Sequence, residues 1–506
     1  MGRPAPGRDP LAVPGTPDGR RSLDPRTPVL VGVGTASADA EATELMIRAL
    51  RAAADDAGGR ALLDRIDRIA VPQGSWTYPD PARLVAEGVG ATAARTHLVE
   101  LGIPQQSLVD EALEAIASGR SDVAVVVGGE AKRWVRDEER SGRTAAETGQ
   151  GDAVPDVTRR RDGPLMEPVE VTHRLWDPVQ QYAMIDNALG AAEGRSLADH
   201  RSEVCELWAR FNVVARTNPE AAFPAPLTAT DLAEASATNR PLAFPYNKWH
   251  STQWTVNQAA ALVLCSVEAA RSVGVPDDRW VFPLVGLESS HAVSLLRRQR
   301  PHEWPAMGVL GRAAADRIGR PLTEVETVEL YSCFPAAVRV QQRALGFDPA
   351  STPTVTGGMA FAGGPFNNFV LQSLAPVVRA VRSDPGSLGM VTTVSGLLTK
   401  PGIGVWSATP DGRPPLVADL AGAAGAATGV LDVVPTLDGY DGAATVVTYT
   451  VTYDAMVPSR TVALCDTVDG RRCVAVSEDP VLAARATADE LIGAAVRIGD
   501  GSLALV

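Results

Sequence analysis

A two-part unit occurs twice in this chain. Residues 105–118 carry apolar side chains at helical spacing, Gly119-Arg120-Ser121-Asp122 interrupts them, and the apolar run Val123–Val127 follows, closed by Gly128-Gly129. The same order returns as a helix over 367–382, the turn Asp384-Pro385-Gly386, the run Met390–Val394 and Gly396. A repeated helix–turn–strand unit implies two similar halves, because each copy buries the same faces against the same kind of neighbour. Around the first copy, Pro28–Gly34 reads as a buried strand, Glu41–Ala57 as a helix, Arg68–Val71 as a strand and Ala82–Glu87 as a helix, an alternation that predicts a largely parallel sheet covered by helices. We expect Thr255–Ser266 to be a helix with a small-residue face and Trp280–Glu288 to be a strand, the two completing the first half. The second half is then expected to open near Met307 with a helix to Arg317, a strand Val325–Leu330 and a helix over 334–345.

A chain of 506 residues is too long for one core and points to roughly three folded units. Residues 1–25 are rich in Pro, Gly and Arg and are expected to form a disordered arm. The first half spans 26–302, with an insertion over about 133–245 that is charged at its start and helical later and that should face a ligand. The second half spans 303–412. From there to 506 the pattern becomes turn-separated strands, Ala444–Tyr453, Arg460–Asp466 and Arg472–Ser477, which predict a small β domain, best matched by a barrel of the oligonucleotide/oligosaccharide-binding (OB) type.

A net charge of -13 argues against a nucleic acid or an anionic membrane as partner, although a local basic pocket can still bind phosphate. Cysteines at 205, 265, 333, 465 and 473 are odd in number and lack metal-type spacing, so no metal site is expected. With no signal-type segment or long apolar run in view, cytoplasmic residence with reduced thiols is the expectation. Lys132, Lys248 and Lys400 are the lysines of an otherwise arginine-based chain.

Residues 357–365 read Gly-Gly-Met-Ala-Phe-Ala-Gly-Gly-Pro before a helix start. This segment resembles the thiolase motif GGAIALGHP, with Gly364 where thiolases carry the histidine base. Residues 329–334, Glu-Leu-Tyr-Ser-Cys-Phe, resemble the thiolase NEAF or HDCF box, with Tyr331 at the Asn or His position and Cys333 as either a buried small hydrophobe or a thiol. The CxG box corresponds to Val394-Ser395-Gly396, where Ser395 or Lys400 is a candidate proton donor in place of the second cysteine. Ungapped alignment puts Gly102 at the nucleophilic cysteine, and a small shift would bring Gln105, Gln106 or Ser107 there instead. The stretches 239–250 and 254–261 resemble the thiolase segment ending SGINDGAAA.

The resemblance covers about 26–410 and is to the thiolase superfamily, most closely its actinobacterial thiolase-like acetyl-CoA acetyltransferase subgroup with an extra C-terminal β domain. It implies an α/β fold of two duplicated halves layered α-β-α-β-α, with CoA or acyl-CoA as substrate and no tightly bound cofactor. Lys248, Arg240, His250 and Asn257 are then candidates to contact CoA, since an ammonium or guanidinium suits phosphate and imidazole can donate. With Gly102 and Gly364 in place of cysteine and histidine, ordinary thiolysis should be impaired. A tyrosine-dependent aldolase or retro-aldolase on a β-hydroxyacyl-CoA is the alternative, since thiolase-fold aldolases use tyrosine at the position of Tyr331. The second tyrosine expected near the Gly-Gly-Pro box is replaced there by Phe361. A non-catalytic acyl-CoA-binding subunit is the third reading. The expected assembly is a monomer or homodimer.

Overall fold

The computed structural model describes residues 23–429 and 433–506, so the expected arm lies outside the described residues except for its end. The strands are β1 (Pro28–Ala36), β2 (Arg68–Pro72), β3 (Arg95–Val99), β4 (Val123–Ala131), β5 (Val157–Arg159), β6 (Pro241–Ala243), β7 (Tyr246–Asn247), β8 (Asn257–Ser266) and β9 (Phe282–Glu288). They continue with β10 (Thr327–Glu329), β11 (Leu388–Ser395), β12 (Lys400–Ser407), β13 (Leu416–Asp419), β14 (Gly442–Asp454), β15 (Val457–Thr467), β16 (Arg472–Ser477), β17 (Ala495–Gly499) and β18 (Ser502–Leu505).

Two mixed sheets repeat one design. The first has the order β1-β8-β4-β2-β3-β5 and the second β10-β11-β12-β9-β13. In the first, β8 runs antiparallel between β1 and β4, and β4 is parallel to β2. In the second, β12 runs antiparallel between β9 and β11, and β11 is parallel to β10. The repeated units of the sequence are the helices Gln105–Ala117 and Phe369–Ser383 with the strands β4 and β11 that follow them. Each of these helices touches strands of both sheets, and they touch each other, so they form the central layer. The Gln105 carboxamide ties their starts together, accepting from the Val370 N–H at 2.9 Å and facing Asn367 Oδ1 at 3.3 Å. Helices Ala42–Asp56 and Pro305–Ile318 pack against the first and second sheets respectively, which gives the α-β-α-β-α layering.

Two expectations are corrected. Residues 255–266 form not a helix but mostly β8, whose ten residues are all buried. A strand covered on both faces needs no polar alternation, and its run of alanines lets the covering layers approach, so periodicity could not separate it from a buried helix. The strand expected to complete the first half is β9, which belongs to the second sheet as the counterpart of β1. The second half therefore opens on β9, before the boundary at 303.

The insertion is mainly helical and includes Pro178–Ala192 and Leu197–Ala215. Beyond β13, the strands β14-β15-β16-β18-β17 close back onto β14 as a five-stranded barrel, with the helix Pro480–Ala486 between β16 and β17 and only β16 and β18 parallel. The barrel docks through β14 on helix Pro178–Ala192. Thr448 donates its hydroxyl to Met184 O, and Asn187 donates to Tyr449 O at 2.9 Å and Phe244 O at 3.3 Å. Asn187 is 2% exposed, so its loss leaves buried carbonyls without their donor. Asn187→Ala is expected to lower stability by about 1–3 kcal/mol in urea unfolding.

Candidate functional site

A cavity of about 810 Å³ opens where the starts of the central helices meet the insertion. Its wall is built from Leu101 and Gly102 ahead of helix Gln105–Ala117, Tyr331, Cys333 and Phe334 after β10, and Val394–Leu397 at the end of β11 and in the turn to β12. The insertion adds Tyr182, and the rim carries Arg240, Lys248 and Trp254.

Gly102 has φ +98, and a Cβ there would stand 2.4 Å from Leu165 Cδ2. Its carbonyl accepts from Lys400 Nζ at 3.1 Å. Lys400 is 9% exposed and is a tie between two walls. None of the alternative residues brings a nucleophile to the cavity. Gln105 joins the central helices, Gln106 donates to Asp110 at 2.8 Å, and the Ser107 hydroxyl is bonded to the Glu288 carboxylate.

Tyr331 is fixed through its backbone, its N–H donating to Thr392 Oγ1 at 2.8 Å and its carbonyl accepting from Gln341 at 2.9 Å. Its ring meets Phe369 edge-on at 5.9 Å. Burial pushes the phenol above its ordinary range, so it stays protonated. Tyr182 stacks on Phe334 at 4.5 Å, and its phenol neighbours the Cys333 thiol. Burial pushes the Cys333 thiol up to about 12, which makes it a poor nucleophile. Two protonated phenols thus flank an inert thiol. Ser395 lies on the cavity wall at the end of β11, followed by Gly396, Leu397 and Leu398, all with φ near +60.

Gly364 lies behind Thr252 and Met359 and is not on the wall; a Cβ there would stand 2.2 Å from Thr252 Cγ2 and 3.1 Å from Met359 Cε. Two other expectations are corrected. His250 is buried, its Nδ1 accepts from the Asn247 N–H at 3.1 Å, and burial pushes its pKa down to about 4, so it is a neutral core residue rather than a CoA contact. Asn257 sits inside the protein, accepting from the Trp134 N–H at 2.8 Å and donating to Asp39 at 3.0 Å, and is not on the cavity wall. Arg240 and Lys248 remain together on the rim, the Lys248 N–H donating to Arg240 O at 2.9 Å.

Sequence reasoning missed Tyr182, Thr252 and the cation–aromatic pair of Lys132 on Trp254, whose ring centroid is 2.7 Å from Nζ. The available signal for Tyr182 was a polar Gln180-Gln181-Tyr182 cluster near the start of the inserted helix. Phe361 is fully buried against Trp249 and takes no part in the cavity. Among the described residues no cluster with the composition of a metal site occurs, and no helix is long and apolar enough to cross a membrane.

No protein-family model matches the sequence, and no curated protein matches it. Solved structures do. A monomeric SCP2-thiolase-like protein type 1 from Mycobacterium smegmatis is similar at a TM-score of 0.80 and 29% identity, covering 96% of this chain and 100% of its own. The Ltp2-ChsH2(DUF35) aldolase is similar at 0.57 and 18%, covering 76% of this chain and 99% of its own. An acetyl-CoA acetyltransferase from Syntrophomonas wolfei is similar at 0.54 and 16%, covering 75% and 98%.

Proposed function

For this chain, whose fold is that of the thiolases, we propose an acyl-CoA-binding role in which thiolysis by a Cys/His pair has been lost. The observation that carries it is the cavity itself. It occupies the junction of the two halves and joins Gly102, Tyr331 and Ser395, but its wall offers neither an activated thiol nor an imidazole. On its rim, Arg240 and Lys248 suit the phosphates of CoA, with the pantetheine arm running inward past Trp254. A volume near the top of the usual range for ligand pockets leaves space for an acyl group beyond that arm.

A second reading is favoured by the position of Tyr182. The tyrosine missing from the Gly-Gly-Pro box is matched by one from the insertion, so Tyr182 and Tyr331 line one cavity around Cys333. In a retro-aldol cleavage of a β-hydroxyacyl-CoA the hydroxyl loses its proton, the bond between the α and β carbons breaks to give a carbonyl product, and the thioester enolate takes a proton at the α carbon. The phenols can relay that proton: as the carbon–carbon bond breaks, the β-hydroxyl proton passes to a phenol oxygen while a phenol O–H proton passes to the α carbon, so both phenols end protonated and no covalent intermediate forms. On this reading the barrel, with the strand order and helix placement of an OB-type fold, takes the place of a separate partner subunit.

Binding is tested by isothermal titration with CoA and acyl-CoAs, and chemistry by acetoacetyl-CoA thiolysis and carbonyl release from β-hydroxyacyl-CoAs. We expect saturable acyl-CoA binding, no thiolysis, and a loss of about 100-fold or more in release for Tyr331→Phe. Absence of acyl-CoA binding would sink the first reading. Binding without release would leave a non-catalytic acyl-CoA binder, and release indifferent to Tyr331→Phe and Tyr182→Phe would end the phenol mechanism.

A further inference from the structure

The turn Gly396–Thr399 is an unusual piece of backbone. Leu397 and Leu398 have φ of +58 and +60, the left-handed region that side chains with a Cβ disfavour. Such a turn persists only where its surroundings over-determine it. Thr399 closes the turn on itself, its hydroxyl donating to Gly396 O at 2.6 Å, Trp304 donates to Thr399 O at 3.2 Å, and the carbonyls of the two strained leucines are met by one side chain. Arg298, 6% exposed, donates to Leu398 O at 2.7 Å, Leu397 O at 3.2 Å and Val293 O at 3.1 Å. No carboxylate lies within ion-pair distance of it among the described residues; its Nε and Nη2 meet carbonyls rather than a counter-charge, and its Nη1 is buried without a hydrogen-bond partner.

The backbone of Arg298 is held in turn by the barrel. Arg472 of β16, fully buried, donates to Arg298 O and is itself clamped by Asp466 at 2.7 Å. A β-bridge between Arg298 and Val433 and the Val434 N–H on Arg297 O at 2.8 Å fix the same segment.

We infer that Arg298 is a positioning residue, the inner half of a two-arginine strut through which the C-terminal barrel holds the left-handed turn, and with it Ser395 and Leu397, against the cavity. The strut gives the barrel a task inside its own chain: the wall opposite Gly102 keeps its shape only while Arg472 and Arg298 stay engaged. It bears on the acyl-CoA reading because it shapes that site, but its test requires no acyl-CoA.

Cys333 lines the same cavity and serves as the reporter, while Cys265, fully buried in β8, reports general loosening. Iodoacetamide labelling of the full chain, read by peptide mass spectrometry, is compared for wild type, Arg298→Lys and Arg472→Lys. Lysine keeps the charge but cannot span the carbonyls that a guanidinium reaches. We expect both variants to raise Cys333 labelling about five-fold or more, with Cys265 unchanged. A third variant, Leu397→Asn, places at the turn a residue that tolerates the left-handed region. On that background Arg298→Lys should add little to Cys333 labelling. If Cys333 and Cys265 rise together, or neither rises, or Arg298→Lys acts equally on the Leu397→Asn background, the strut assignment is overturned.

Discussion

The double substitution Gly102→Cys/Gly364→His, which writes the thiolase pair back into the chain, is expected to yield no thiolysis and a protein about 2–5 kcal/mol less stable than wild type. At 364, a Cβ would stand 2.2 Å from Thr252 Cγ2 and 3.2 Å from Met359 Cβ before any ring is added. Thr252 cannot simply turn away, because its N–H and its hydroxyl both bond Cys333 O at 3.0 Å. At 102, the backbone has φ +98 and the new Cβ meets Leu165 Cδ2 at 2.4 Å. Overpacking in a close-packed interior costs about 1–3 kcal/mol, and a side chain in the left-handed region adds about 1–2 kcal/mol. Gly102 lines the cavity and Gly364 does not, so the imidazole would not enter the cavity beside the thiol, where the base must stand to activate the nucleophile. Urea unfolding measures the stability, and CoA-dependent cleavage of acetoacetyl-CoA measures the chemistry. Thiolysis above wild type would show that only the two side chains had been lost; the structure says that the space for them has been filled as well.

What the sequence revealed and what it hid divide along one physical line. The duplicated halves were legible because a helix of period 3.6, a turn and an apolar strand leave a pattern that does not depend on what they pack against. The strands of the C-terminal domain were legible for the same reason, from alternation in β14 and β15, while their closure into a barrel was inferred from strand count and length. Strand β8 was not, since burial on both faces removes the alternation and leaves an alanine run that suits a helix equally well. At the site, the glycines stood out because they stand where the resembled motifs carry reactive residues. Tyr182 did not, because its place beside Cys333 follows from how the insertion folds back over β10, and no motif encodes that. His250 misled in the opposite sense. A polar residue in a suggestive stretch reads as a ligand contact until its partners are seen, and Asn247 and Cys205 already occupy it.

Glu288→Gln is expected to change how stability depends on pH. Glu288 ends β9 with its side chain 12% exposed, its carboxylate bonded to the Ser107 hydroxyl and its nearest cation, Arg159, 3.8 Å away. Burial outweighs that distant charge and pushes its pKa from 4.5 up to about 7, with Asp419 and Glu111 adding repulsion. The folded chain therefore holds this proton over a range of pH in which the unfolded chain has released it. The sign follows: the carboxyl costs nothing below about pH 4.5, stability falls as pH rises toward 7, and the loss is complete above 7. A displacement from 4.5 to about 7 corresponds to about 3 kcal/mol. Glutamine keeps an acceptor for Ser107 and cannot ionise, so relative to wild type the variant should gain about 3 kcal/mol between pH 5 and pH 8. Asp110, pushed up by the same burial, stays in both proteins. Urea unfolding of the two proteins at pH 5, 6, 7 and 8 gives the difference directly, and a difference that does not move with pH would mean that the carboxylate is ionised throughout. The contact matters beyond stability because Ser107 lies in the first turn of the helix that follows Gly102. Ionisation of Glu288 loads the joint between the second sheet and the helix at the cavity wall, so pH effects on acyl-CoA binding that disappear in Glu288→Gln would trace to this joint rather than to the phenols.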